Sequence, residues 1–213
     1  AAPQSQSVET VRAPQAEPAF ERRTPRFPLV FVLGVAQCGS TLLGRLLDMH
    51  PQVLCVGEML RMDRALEAGL SCGCGEPIRE CPFWRPLLGL VEKSTRRLQY
   101  KSYRPELYRE IGERTGKDMV VDLSKSRVWR LSRSWNRPDV GYVFMVRDSR
   151  GVMGSAARRG RDITRLLRRH KKWMNRYLQF VEKKKCLIVR YEEMCRDPEG
   201  QLRRVCEFLG IDF

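Results

Sequence analysis

The stretch FPLVFVLGVAQCGSTLLGRLLDMHP, from Phe27 to Pro51, restricts the possible folds more than any other part of the chain. Its first eight residues are a continuous apolar run closed by Gly34, which reads as a strand buried on both faces. Its second half carries Leu42, Leu43, Leu46 and Leu47 at helical spacing. His50-Pro51 ends that helix, because the residue before a proline resists the helical conformation. The loop between them opens with Gly34, four residues and Gly39, like a phosphate-binding loop. A triphosphate loop would continue with Lys and then Ser or Thr, but Ser40 and Thr41 follow here. The glycines let the backbone curl close to a ligand. Amides at the helix start, around Ser40 and Thr41, carry the positive end of the helix dipole and form an anion site without a lysine. This loop is expected to take an anion with less charge than a triphosphate, and no metal beside it.

The remaining pattern alternates strands with helices. Short apolar runs at QVLCVGE (52–58), MVVDLS (119–124), GYVFMVRD (141–148) and CLIVRY (186–191) read as strands. MLRMDRALEAG (59–69), YRPELYREIGERTG (103–116), KSRVWRLSRSW (125–135), SRGVMGSAARRG (149–160), a long basic segment from about 162 to 183 and DPEGQLRRVCEFLG (197–210) read as helices. Such alternation predicts an α/β fold: a single P-loop-type domain with a central parallel sheet and helices on both faces. Ligands then bind beyond the carboxyl ends of the strands. Residues 1–26 lack a hydrophobic period and read as a flexible Pro/Ala-rich leader, with the domain over 27–213 and an inserted segment at about 70–116. No apolar run reaches the length of a membrane span, and no secretory signal is visible. A membrane anchor upstream of Ala1 stays compatible with the sequence.

VRDSRGVMGS is the second constellation. Arg147 closes a strand, and Ser155 lies two turns into the following helix, on the face of the helix start. Arg159, one turn further, extends that face. Arg147 and Ser155 can converge on one anion, with a surface ion pair among Arg147, Asp148 and Arg150 as the competing reading. Two anion sites after two strands of one sheet suit a nucleotide with a 5′ anhydride and a separate 3′-phosphate.

GVAQCGSTLLGRLLDMHPQVLCVGE resembles the 5′-phosphosulfate loop of sulfotransferases that use 3′-phosphoadenylyl sulfate (PAPS). VRDSRGVMGS resembles their 3′-phosphate motif, and RYEEMCRDPEGQLRRVCEFLGIDF their last strand and helix. The CGCGEPIRECPFW stretch is similar to an insert of a bacterial-type branch, and HPQVLCVGE also resembles the tyrosylprotein sulfotransferases. The resemblance runs from Phe27 to Phe213 and is weakest over 85–116. It implies in-line transfer of a sulfuryl group from PAPS, the co-substrate, to an acceptor hydroxyl, with 3′,5′-ADP leaving and no metal expected. It implies Gln37, Cys38, Gly39, Ser40 and Thr41 at the 5′ end, and Arg147, Ser155 and Arg159 at the 3′-phosphate. It matches Tyr191 with a nucleotide-contacting tyrosine. Gln37 and Cys38 depart from the family's usual Arg or Lys followed by Ser. Gln37 can donate a hydrogen bond but brings no charge. Glu58 matches the family's base, with His50 as the competing candidate, and Lys125 would compensate the leaving group, assisted by Ser124. Trp129, Trp135 and Trp173 read as packing residues. Family members continue past LGIDF, so a C-terminal tail that completes the nucleotide site is expected to be missing.

The charge balance, 40 Lys and Arg against 25 Asp and Glu, draws polyanions without choosing among them. The long basic helix reads as a solvated face or as a platform for an acidic glycan or peptide acceptor, and no specific nucleic-acid partner is expected. A non-catalytic nucleotide- or polyanion-binding relative is the alternative function. Location is open: cytoplasmic for a bacterial protein, the Golgi lumen for an anchored eukaryotic one. Cys72, Cys74 and Cys81 supply only three ligands in C-x-C-x6-C spacing. They read as a local cross-link or buried thiols, ahead of a zinc site completed by a residue such as Cys55.

Overall fold

The computed structural model describes residues 23–95, 105–125, 138–182 and 186–213. The chain begins with β1 (Leu29–Gly34), whose every residue is buried. It turns through the glycine loop into α1 (Ser40–Asp48) and returns as β2 (Val53–Cys55). A tight turn at Met59–Arg61, α2 (Met62–Glu67), α3 (Leu88–Thr95) and α4 (Pro105–Thr115) lead to β3 (Met119–Asp122). Next come β4 (Val140–Val146), α5 (Ser149–Ala157), α6 (Ile163–Val181), β5 (Cys186–Arg190), α7 (Tyr191–Arg196) and α8 (Pro198–Leu209). Among the described residues no helix is long and apolar enough to cross a membrane.

The strands form one parallel sheet in the order β2-β3-β1-β4-β5. β1 is the centre, with Leu29 opposite Val120 on one side and Val140 on the other. The connection from β1 to β2 crosses the sheet in one direction, and every later one crosses in the other. Right-handed crossovers therefore set α1 on the face opposite α4 and α6. The latter face holds an aromatic layer. Phe31 stacks beside Tyr142 and meets Tyr108 of α4 edge-on. Tyr142 and Phe144 pack on Phe180 and Tyr177 of α6. The expected fold class is thus the observed one.

Three local expectations change. The 59–69 helix opens as a 3-10 turn, because Ser124 Oγ takes the Leu60 N–H at 2.9 Å and pins that turn to the end of β3. The last strand stops at Arg190, and Tyr191 already begins α7. α4, expected over 103–116, spans Pro105–Thr115 and buries Leu107, Tyr108 and Ile111, and the Tyr108 hydroxyl donates to the buried Asp122 carboxylate at 2.6 Å. Residues 1–22 of the expected leader, the helix from 126 to 135 with Trp129 and Trp135, and residue 183 lie outside the described residues.

His50 ties the turn before β2 to Asp212, away from the strands' carboxyl edge. Its Nδ1 accepts the Gln52 N–H, so Nε2 carries the proton and donates to the Asp212 carbonyl at 3.0 Å. Arg23 pairs with the Asp212 carboxylate nearby. Burial holds the imidazole below its ordinary pKa, against the pull of Asp212. Below about pH 6.5 the unfolded chain therefore takes up the proton more readily than the folded one, and stability declines as pH falls towards the folded pKa. His170 is lowered by burial too and adds the same sign. The melting temperature is expected to fall from pH 7 to pH 5, with a shallower slope in His50→Gln. A slope unchanged by the substitution would remove His50 from this account.

Candidate active site

A cavity of about 700 Å³ opens at the carboxyl edge of the sheet. Each strand delivers a residue to it: Gly34–Leu42 from the turn after β1, Glu58 after β2, Lys125 after β3, Arg147 after β4 and Tyr191 after β5. This is the edge at which open parallel sheets bind ligands. Gln37, Cys38, Gly39, Ser40, Thr41, Glu58, Lys125, Arg147, Ser155, Arg159 and Tyr191, all singled out in the sequence, line this one cavity.

The loop is built around its glycines. Gly39 has φ 95°, and a Cβ there would stand 2.2 Å from the Tyr191 ring. A Cβ on Gly34 would stand 2.6 Å from the Cys38 sulfur and 2.9 Å from the Met145 carbonyl oxygen. Gly39→Ala is expected to cost about 2–3 kcal/mol, from backbone strain and the Tyr191 clash, and to lower the melting temperature by roughly 5–10 °C. Thermal unfolding checks this, and a shift below about 2 °C would mean that the loop relaxes freely. Behind Gly39, the Ser40 side chain is buried, and among the described residues its hydroxyl finds no oxygen or nitrogen partner, with the Cys38 sulfur as its neighbour. A buried donor without such a partner, beside first-turn amides that no helical carbonyl can reach, is the chemistry of an anion cradle. Cys38 belongs to the cavity wall. Its thiol is fully buried under the loop, and burial raises its pKa despite the Ser40 N–H.

Arg147 turns inward. Its guanidinium lies 4.0 Å over the Tyr191 ring and donates to the Gln37 carbonyl at 3.1 Å. The exposed ion pair is made by Arg150, which holds the Asp148 carboxyl down at about 2. Asp148 in turn caps α5 by accepting the Arg150 N–H, which fixes the helix that presents Ser155. Gln37 sits across both motifs with φ 69°. Its side-chain oxygen accepts from Arg159 at 2.7 Å and from Ser155 at 3.4 Å. The carboxamide thus lies against the residues that the resemblance assigns to a 3′-phosphate.

On the other side, Lys125 Nζ meets Glu58 Oε1 at 2.7 Å, with side chains only 14% and 28% exposed. Arg61 holds Oε2. Ser124 does not join them. It is buried, and its oxygen is committed to Leu60. His50 is absent from the cavity for the reason given above, which removes it as a competing base.

Sequence reasoning missed several residues of the wall. Arg158, Arg161, Arg169 and His170 face the cavity, as does Trp173, which also packs on Tyr177. The signal was the basic run itself, but composition does not say which arginines turn inward. Seven Lys or Arg residues line the cavity against one carboxylate. That imbalance, in a partly enclosed space, attracts a multiply charged anion.

The model described as "Sulfotransferase family" matches residues 28–213. The chain is 26% identical over 210 residues to "Protein-tyrosine sulfotransferase A" of Caenorhabditis elegans, covering 86% of this chain and 50% of that protein. It is 27% identical over 203 residues to "Protein-tyrosine sulfotransferase" of Drosophila melanogaster, covering 86% and 38%. The chain thus spans half or less of the length of these two relatives. Among solved structures, "Sulfotransferase Domain from the Synechococcus PCC 7002 Olefin Synthase" superposes with a TM-score of 0.62 at 24% identity, over 92% of this chain and 78% of that one. "Sulfotransferase Domain from the Curacin Biosynthetic Pathway" gives 0.60 at 19%, over 88% and 75%. At these identities the two superpositions speak for the fold.

Proposed function

The chain belongs to the sulfotransferase family, and from that premise we propose that it transfers a sulfuryl group from PAPS to an acceptor hydroxyl. The observation that carries the reading is the junction, in one cavity, of an anion cradle, a separate Arg–Ser–Arg cluster and a Lys–Glu pair. The loop amides and the Ser40 hydroxyl suit the phosphosulfate end. Arg147, Ser155 and Arg159 suit the 3′-phosphate once the Gln37 carboxamide yields its place. Tyr191 supports Arg147 from below and keeps the guanidinium in position.

The Lys125–Glu58 pair supplies the chemistry. The acceptor hydroxyl oxygen attacks sulfur, and the bond from sulfur to the 5′-phosphate oxygen breaks. Its electron pair leaves with 3′,5′-ADP. Lys125 turns from Glu58 to compensate the charge gathering on that oxygen. The same turn frees Glu58 Oε1 to receive the hydroxyl proton. Arg61 keeps Oε2, so the carboxylate stays oriented. For the acceptor, the curated relatives are named as acting on protein tyrosine. Arg158 and Arg161, between α5 and α6, and Arg169 of α6 favour a hydroxyl flanked by acidic groups, as on an acidic peptide or glycan.

Calorimetry with 3′,5′-ADP and 5′-AMP at two salt concentrations tests the nucleotide site. We expect 3′,5′-ADP to bind more tightly by about 2–3 kcal/mol, roughly 30- to 150-fold, since charged hydrogen bonds to the 3′-phosphate contribute about that much. Equal affinities would sink the proposal. Mass spectrometry of a tyrosine peptide rich in Asp and Glu, incubated with PAPS, then reads transfer directly.

A further inference from the structure

The three cysteines of the loop between α2 and α3 have no place in the sulfuryl-transfer reading. Cys72, Cys74 and Cys81 bring their sulfurs within 4.8 Å of one another. Cys74 Sγ stands 3.6 Å from Cys81 Sγ. Metal–sulfur bonds of about 2.3 Å at tetrahedral angles put neighbouring sulfurs about 3.8 Å apart, whereas a disulfide joins them at about 2.05 Å. The spacing is that of ligands around one ion.

The loop is built to hold this arrangement. Ser71 bridges to Pro77, the Cys72 N–H donates to the Glu76 carbonyl at 2.7 Å, and the Gly75 N–H to the Cys72 carbonyl at 2.9 Å. Ile78, Cys81 and Trp84 anchor its far end in the core. The N–H groups of Trp84 and Phe83 point at the Cys81 sulfur. The Glu76 N–H likewise points at the Cys74 sulfur, although the Cys81 and Cys72 thiols raise that thiol overall. Backbone donors aimed at sulfur favour the thiolate, which is the form that ligates metal. Cys55, the fourth ligand considered from sequence, lies outside the cluster, and burial pushes its thiol up to about 11.

We propose that Cys72, Cys74 and Cys81 form a structural site for one thiophilic divalent metal ion, zinc in the first place. Three thiolates hold the ion, and its fourth position opens to solvent on the side of the exposed Cys74. Binding releases the thiol protons to solvent, so it strengthens as pH rises. The ion staples the loop that joins α2 to α3 within the crossover from β2 to β3. This reverses the sequence reading, which set a cross-link or buried thiols ahead of a zinc site, and it does not depend on the proposed reaction.

The test is metal analysis of the full chain purified under reducing conditions. One equivalent of zinc per chain is expected, as is a melting temperature that falls on chelation and recovers when zinc is returned. Cobalt(II) added to the chelated protein should give thiolate-to-metal charge-transfer absorption. That absorption should vanish in Cys74→Ser, whose exposed position spares the fold, and persist in Cys55→Ser. A wild-type protein that gives no such absorption with cobalt overturns the proposal. So does a thiol count of six in chelator and denaturant, instead of the eight in the sequence, because two of the sulfurs would then be joined.

Discussion

Arg147→Ala is expected to weaken 3′,5′-ADP binding by roughly 30- to 150-fold, about 2–3 kcal/mol, and to leave 5′-AMP binding nearly unchanged. Arg147 is the residue on which the two anion sites depend. Its guanidinium rests on Tyr191, donates to Gln37 of the loop and lies beside Ser155 and Arg159. Alanine removes a charged fork and the platform contact together. Lysine at this position restores the charge but neither the fork nor the stacking, so Arg147→Lys should recover only part of the affinity. Calorimetry on the three proteins reads the effect. A loss equal for both nucleotides would move Arg147 away from the 3′-phosphate.

Glu58→Gln is expected to lower kcat by about 10²- to 10⁴-fold, the usual range for a missing general base, while 3′,5′-ADP still binds. Glutamine keeps the shape and can accept a hydrogen bond from Lys125, so the fold should survive. Binding and turnover respond differently here, and that separates catalysis from simple packing. If kcat stayed within a few-fold of wild type, Glu58 would only orient Lys125. Turnover and calorimetry on one protein preparation decide between them.

Much of this was legible in the sequence because it rests on local rules. Buried parallel strands must be apolar along most of their length, and β1, β4 and β3 up to its closing Asp122 are. A loop that approaches a ligand needs glycine, and Gly34 and Gly39 are where the chain curls. Two turns of helix fix Ser155 relative to Arg147 whatever surrounds them. The illegible features depend on rotation and closure. Arg169 is the arginine of α6 that lines the cavity, and that follows from how the helix packs beside the loop, which a basic helix face does not by itself encode. The Gln37 clasp needs α5 and the loop brought together in space, so residue type alone suggested only a donor. Ser124 sits next to Lys125 in the chain, yet the turn after β3 sends one into the cavity and the other into the core. The cysteine spacing resembled no common finger, because the loop's own turns bring the third sulfur to the first two.

The strand order has a consequence for how the protein comes into being. β1 lies near the start of the described chain, but its two neighbours, β3 and β4, begin about ninety and one hundred and ten residues later. Nothing adjacent in sequence can complete the sheet's centre. During synthesis β1 must wait, apolar and unpaired, until those strands leave the ribosome, and pairings this distant form slowly. The last strand, β5, ends where Tyr191 moves under Gly39. The phosphate loop, made first, gains its floor last. Binding of the proposed nucleotide would therefore report on a sheet completed through β5, and a ligand that fits the cavity should rescue late folding steps more than early ones.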